Sequence, residues 1–211
     1  MIIELIGPGG VGKTTLEPMV AKRLGLEYHP NRKRHALNGE PLTPGRVWLQ
    51  RLGVMARHPG LFMSAAIAMK GGPRLRLRFA VDMCRRERLA RHVATRGGVV
   101  ASGTLHALCA ASANHHVDLS PLLSIVSPAD LYVLLVIEPE EATRRLAGRL
   151  VESGLDANVE DHARFQQRYD ACVAEAEKRI ASPILRVEAA GPPERVVDEV
   201  VSSIKAEKGV A

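Results

Sequence analysis

The chain begins MIIELIGPGGVGKTT, residues 1–15, and these fifteen residues decide its fold. Met1 to Ile6 is a short apolar run that reads as a strand. Gly7-Pro8-Gly9-Gly10-Val11-Gly12-Lys13-Thr14 then matches G-x-x-x-x-G-K-[ST] without a gap. A helix is predicted over about 13–24, ending at Gly25. Strand, glycine loop and helix is the context in which this motif binds phosphate. The loop N–H groups turn inward at a helix N-terminus and form a nest for anions. Gly7, Gly9, Gly10, Val11, Gly12, Lys13, Thr14 and Thr15 are therefore the candidate nucleotide contacts. Lys13 supplies a point charge for the β- and γ-phosphates. The Thr14 hydroxyl is the candidate Mg²⁺ ligand, because that ion keeps most of its waters and binds through substrate phosphates. The bland alternative is a glycine-rich turn that binds nothing.

Outward from the loop, composition narrows the class. The 211 residues suit one compact domain, and 46% of them are hydrophobic, so a core is available. Aromatic residues are only 3%, so that core must be aliphatic. Cys84, Cys109 and Cys172 are widely spaced and show no metal-ligand pattern, which predicts reduced, buried thiols in a cytoplasmic protein. Glu4 interrupts the N-terminal apolar run, so no signal peptide is expected. No apolar run reaches the roughly 18 residues that a membrane span requires. The net charge of +6 is unevenly placed. Residues 1–100 carry 18 Lys and Arg against 6 Asp and Glu, and residues 101–211 carry 11 against 17. The basic half suits an anionic second substrate. Nucleic acid is an unfavoured partner, because no aromatic side chains interleave the charges to stack bases.

Strand and helix then alternate, which predicts an α/β fold with a parallel sheet. Strands are expected at 2–6, 26–29, 99–101, 131–137 and 184–187. Leu131 to Ile137 is apolar on both faces, as a central parallel strand should be. Helices are expected at 47–57, 61–69, 74–94, 104–114, 138 to about 150, 159–180 and 193–205, with a helix or loop at 118–126. Residues 30–46 read as a loop.

The order of these parts resembles the nucleoside-monophosphate kinase superfamily, and within it thymidylate kinase and its relatives. Four segments carry the likeness: GPGGVGKTT, PADLYVLLVIEPEEATRRLAGR, ARFQQRYDACVAEAEKR and PILRVEAAGPPERVVDEVVSSI. The first is highly specific; the others count as a set. The resemblance implies a three-layer P-loop fold, one domain over 1–211, an acceptor-site insertion over about 30–96 and a small lid over about 149–160. It implies ATP and Mg²⁺, a small-molecule phosphate acceptor, and admits a homodimer. Arg145-Leu146-Ala147-Gly148-Arg149 looks like the family's R-I-x-G-R stretch beside the lid. That implies Arg149 stacking on adenine and Arg144 or Arg145 as a phosphate clamp. Asp82 falls on the helix that lines the monophosphate site in relatives, with Arg78, Arg85 or Arg86 as phosphate contacts. Lys13, Arg145, Arg149 and Asp82 are the candidate catalytic set.

One departure bears on chemistry. Relatives carry an acid after the third strand, where it helps to hold Mg²⁺ or to orient substrate. Here the stretch reads Val99-Val100-Ala101-Ser102-Gly103-Thr104, and the acid is missing. Asp82, Asp118 or Glu4 are the candidate substitutes. The favoured activity is phosphoryl transfer from ATP to a nucleoside monophosphate or similar acceptor. A nucleotide-binding regulator without efficient chemistry is one rival, and a kinase for a sugar, antibiotic or lipid-linked precursor is another. His106, His115 and His116 follow this strand without metal-ligand spacing, and ordinary polar packing is the expected role for each.

Overall fold

The computed structural model of the chain describes residues 1–30, 43–100, 103–115, 117–151 and 159–209. Ala101, Ser102, His116, the basic run at 32–34 and most of the expected lid lie outside them.

Five strands form one parallel sheet: β1 (Ile2–Ile6), β2 (Tyr28–His29), β3 (Gly98–Val100), β4 (Leu131–Val136) and β5 (Ile184–Glu188). Their order is β2-β3-β1-β4-β5. β1 is central, with Ile3 opposite Val99 on one side and Leu131 on the other. The chain crosses from one side of β1 to the other between β3 and β4. The loop after β1 thus stands at a topological switch point, where open parallel sheets take ligands.

The two-residue period of β1 sorts its side chains into two cores. Ile3 and Leu5 are fully buried with α1 (Lys13–Leu24) and α9 (Pro193–Lys208), through Leu16, Val20, Val200 and Ile204. Ile2 and Ile6 face α4 (Pro73–Ala94), α5 (Thr104–His115) and α8 (Val159–Glu177), through Leu89, Val93, Leu105 and Tyr169. Each fully buried aliphatic side chain contributes about 1.5–3 kcal/mol. This gives the three layers expected from the sequence. Glu4, between Ile2 and Ile6, shares the second face and is buried at 4% exposure.

A third apolar cluster lies beside the sheet. It joins α4 and α5 to α2 (Pro44–Arg57), α3 (Pro59–Ala68) and α6 (Ser120–Leu123), through Val54, Leu61, Met83, Leu108 and Leu122. Helices α2, α3 and α4 each open with Pro at the first helical position, one to three residues before the predicted starts. Proline fits there because its missing N–H has no helical partner to lose. The remaining helix, α7 (Pro139–Val151), runs from β4 toward the expected lid, with Glu140 and Glu141 in its first turn. Acids there suit the helix dipole. Cys84 and Cys109 are buried free thiols and Cys172 is half-buried, as filler residues should be.

Candidate functional site

The loop between β1 and α1 is built by backbone. Gly10 has φ +80°, and a Cβ there would lie 2.4 Å from the Ala142 carbonyl oxygen of α7. No other residue fits that approach. Gly7 is equally tight, with 2.8 Å to the Leu135 carbonyl oxygen. The loop is thereby clamped between β4 and α7. Helix α1 begins at Lys13, after Gly12, so its free N–H groups face the loop. Lys13 Nζ donates to the carbonyls of Gly7 and Pro8, at 2.7 Å each. Burial pulls its ammonium down to about 8, with the nearby Glu17 carboxylate acting the other way. Thr14 and Thr15 are exposed beside it, and Val11 is buried as a plug.

Two polar links tie α8 under this loop. The Gly7 N–H donates to the Tyr169 hydroxyl at 3.0 Å, and Gln166 Nε2 donates to the Ile137 carbonyl at 2.6 Å. Both side chains are buried. The Tyr169 hydroxyl is also 2.9 Å from His106 Nδ1, in the first turn of α5. That turn rests on Glu4: its carboxylate accepts from the His106 N–H at 2.8 Å and from the Leu105 N–H at 3.4 Å. Burial pushes Glu4 up to about 7, against the lowering influence of these amides and of Arg86.

A cavity of about 870 Å³ opens between α2, α4 and α5. Its apolar lining includes Val54, Met69, Leu75 and Phe79, and Phe79 is its one Phe, Tyr or Trp among the described residues. Arg51, Arg74, Arg78, Arg85 and Arg86 also line it, against one carboxylate, Asp82. Asp82 is already engaged: Arg85 donates to one oxygen at 2.8 Å and Arg86 to the other at 2.7 Å. Burial would raise the pKa of Asp82, but the two guanidiniums hold it well below the usual carboxylate range. Arg86 also donates to the Gly103 carbonyl at 2.8 Å, which fixes α4 to the start of α5. His106 lines the cavity too, so α5 is where the phosphate loop and the cavity meet.

The predicted residues therefore divide. Gly7, Gly9, Gly10, Val11, Gly12, Lys13, Thr14 and Thr15 come together at the loop. Asp82 stands across the seam in the cavity, paired to arginines. Asp118 accepts from the Ser120 N–H at 3.0 Å in an exposed turn. Arg145 donates to Glu141 at 2.7 Å and to the Ala189 carbonyl at 3.1 Å, which ties it to the loop after β5. Arg144 pairs with the same Glu141. The Arg149 side chain lies outside the described residues. Two buried polar residues, Glu17 and Tyr169, carry no signal in the sequence, and a third, His106, is expected there only as ordinary polar packing. Glu17, fully buried in α1, was hidden among helix-forming residues, and Tyr169 in an ordinary amphipathic pattern. His106 was visible, but nothing local marks a pair it makes 63 positions away.

Among the described residues no cluster of three His, Cys, Asp or Glu side chains is placed to hold a metal. No helix among them is long and apolar enough to cross a membrane.

No family model matches the sequence, and no curated protein matches it. Solved structures do match in fold. Deoxyadenosine kinase from M. mycoides, with the products dCMP and a flexible dCDP, superposes with a TM-score of 0.61 at 13% identity, covering 98% of this chain and all of that one. The same enzyme with dATP gives 0.60 at 13% identity, covering 97% and 100%. The YorR protein of Bacillus subtilis, in complex with phosphorylated GDP, gives 0.59 at 13% identity, covering 100% and 99%. The likeness is one of fold: a five-stranded parallel sheet flanked by helices, which superposes on these structures over nearly the whole chain.

Proposed function

We propose that this protein transfers the terminal phosphoryl group of ATP to a small anionic acceptor, a nucleoside monophosphate or a molecule of similar size and charge. The observation that carries the reading is the meeting of two sites on α5. The phosphate loop ends β1 on one side, and a five-arginine cavity with a neutralised carboxylate lies on the other. Five guanidiniums around one paired acid suit an acceptor that brings its own negative charge. The solved neighbours hold nucleotides, among them dCMP as a product, which supports nucleotide phosphoryl transfer as the class of reaction; the structural support for a negatively charged acceptor is the arginines alone. The thymidylate-kinase likeness of the sequence supports the monophosphate.

In this reading the loop amides cradle the β-phosphate and Lys13 neutralises the transferring group. Thr14 would hold Mg²⁺, whose part is to neutralise charge on the β- and γ-oxygens; an exposed hydroxyl beside the phosphate cradle fits an ion held mainly by phosphates and water. Transfer needs no covalent intermediate, because positioning and charge do most of the work. Arg145 braces the loop after β5 on the side of the donor's base. Arg149 and residues 149–160 supply the closing lid, which excludes water.

The test is a panel of acceptors assayed for ADP release with Mg²⁺ and ATP. Nucleoside monophosphates should turn over, and uncharged nucleosides should not. Turnover of a neutral sugar or antibiotic alone would reassign the acceptor. A second reading, a nucleotide-binding regulator, is favoured by Ala101-Ser102, where relatives carry an acid. Tight ATP binding with no ADP release from any acceptor would select it.

A further inference from the structure

We propose that His106 binds an anionic oxygen at the seam between the phosphate loop and the arginine cavity, as a neutral imidazole whose Nε2–H is fixed by Tyr169. The inference deepens the kinase reading and rests on it for the place of the oxygen, but its chemistry follows from hydrogen-bond bookkeeping. The Tyr169 hydroxyl is fully buried and has one proton to give. It accepts from the Gly7 N–H at 3.0 Å, so that proton is free for another acceptor. His106 Nδ1, 2.9 Å away, is the acceptor present. A neutral imidazole that accepts at Nδ1 carries its proton at Nε2. That second nitrogen makes no hydrogen bond among the described residues, and the ring lines the cavity.

The surroundings choose the ligand. Burial depresses the basicity of His106, and the positive charges of Lys13 and Arg86 add to the effect. An imidazolium is thus disfavoured, and Nε2 stays a neutral donor. Such a group cannot take a proton from a hydroxyl acceptor at Nε2. It can donate to an oxygen that already bears negative charge, which describes a phosphoryl oxygen. The backbone fixes the ring as firmly as the side chain does, since the His106 N–H is held by Glu4. The Gly7–Tyr169–His106 chain also joins the phosphate loop, the helix after the lid and the acceptor cavity through a single hydroxyl.

Two amide variants separate this role from packing. The nitrogen of Gln reaches the place of Nε2, and the nitrogen of Asn reaches that of Nδ1. The probe is inorganic tripolyphosphate with Mg²⁺, which fills a phosphate loop without needing a base or a turnover. His106→Gln should bind it within about threefold of the wild type, and His106→Asn should bind it about tenfold or more weakly, the loss expected for one hydrogen bond to a charged group. Nitrogen NMR of the wild-type imidazole should show the proton on Nε2, and tripolyphosphate should move that N–H downfield. In Tyr169→Phe the fixed tautomer should be lost. Equal binding by both variants, or Asn better than Gln, would overturn the proposal, as would a wild-type N–H that tripolyphosphate leaves unmoved. The NMR result decides it if a variant does not fold. Failure of every acceptor to release ADP would count against the kinase reading while leaving this binding test intact.

Discussion

The two sides that the proposed reading assigns to donor and acceptor, the loop after β1 and the arginine cavity, are built by different means. On the donor side the chain itself is the ligand-binding device. Gly7 and Gly10 let backbone pass within contact of β4 and α7, so the loop would meet phosphates with its amides as well as with Lys13. On the acceptor side the backbone is plain helix, and every specific feature is a side chain: five arginines, one carboxylate, an aliphatic lining. The contrast teaches where information resides. A backbone device demands particular residues at fixed spacing, so it leaves a motif. A side-chain device needs only residues that meet in space, so it leaves a composition.

The largest expected effect falls on the donor side. Lys13→Ala removes the ammonium that bridges Gly7 and Pro8 and that would neutralise the phosphates. ATP affinity should fall by about 100-fold or more, the scale of losing charge-assisted hydrogen bonds in a buried site. Isothermal titration checks it. Unchanged ATP affinity would break the comparison at its root, because the loop would then not be the donor site.

Legibility follows the same division. The strands, the loop and most helices were readable, because Met1–Ile6 and Leu131–Ile137 are apolar runs bounded by turn residues, and the motif fixed what lay between them. Helix starts shifted at Pro44, Pro59 and Pro73, where proline opens a helix rather than preceding it. The site was half readable. The eight loop residues are legible as one contiguous motif, whereas Asp82 reads in the sequence as a candidate metal-side acid and in the structure has both of its oxygens held by Arg85 and Arg86. The i, i+3 and i, i+4 spacing announces those pairs, yet not the cavity they line. Glu4, Tyr169 and His106 meet only because β1, α5 and α8 are stacked, and no local pattern records that.

Glu4 lies beneath the seam between the two sides, and its effect is on stability. Its pKa is raised from 4.5 to about 7, chiefly by burial. The folded protein thus holds a proton there that the unfolded chain has released. The associated stability is complete below pH 4.5 and is lost as pH rises through 7, by on the order of 3 kcal/mol. Urea melts of the wild type and Glu4→Gln at pH 4.5, 6 and 8 should diverge, with only the wild type losing this increment. Parallel curves would mean that the α5 amides already stabilise the charge.

Asp82→Asn sharpens the acceptor half. The change leaves Arg85 and Arg86 without their common anionic partner, so the cavity gains one net positive charge and loses the fixed geometry of two guanidiniums. The acceptor KM should rise about tenfold, the cost of one weakened charge-assisted contact, while the ATP KM stays within twofold. A fall in kcat of about 100-fold with both KM values unchanged would instead make Asp82 an electrostatic stabiliser of the transition state. Its pairing with two arginines would then be a resting arrangement that substrate rearranges.

The smallest effect should come from Arg145, and it tests the boundary between the halves. Its guanidinium bridges Glu141 in α7 and the Ala189 carbonyl after β5, so it holds together two walls that the proposed reading sets beside the donor's base. Its side chain is 30% exposed, so water already solvates part of the contact and offsets part of its loss. Arg145→Ala should therefore raise the ATP KM by about threefold to fivefold, in line with one partly exposed ionic hydrogen bond. The acceptor KM should not move. Arg145→Lys should recover little, because an ammonium lacks the fork that reaches two partners in fixed directions. The resemblance to monophosphate kinases implies a different outcome, a clamp on the transferring phosphate. A clamp of that kind would be felt in kcat, by tenfold or more, with the ATP KM nearly constant. The ratio of the two effects decides between a brace for the base and a clamp for the phosphoryl group. A brace keeps Arg145 among the structural features of the donor wall. A clamp would mean that α7 swings when the lid closes, and that the Glu141 and Ala189 contacts are what it leaves behind.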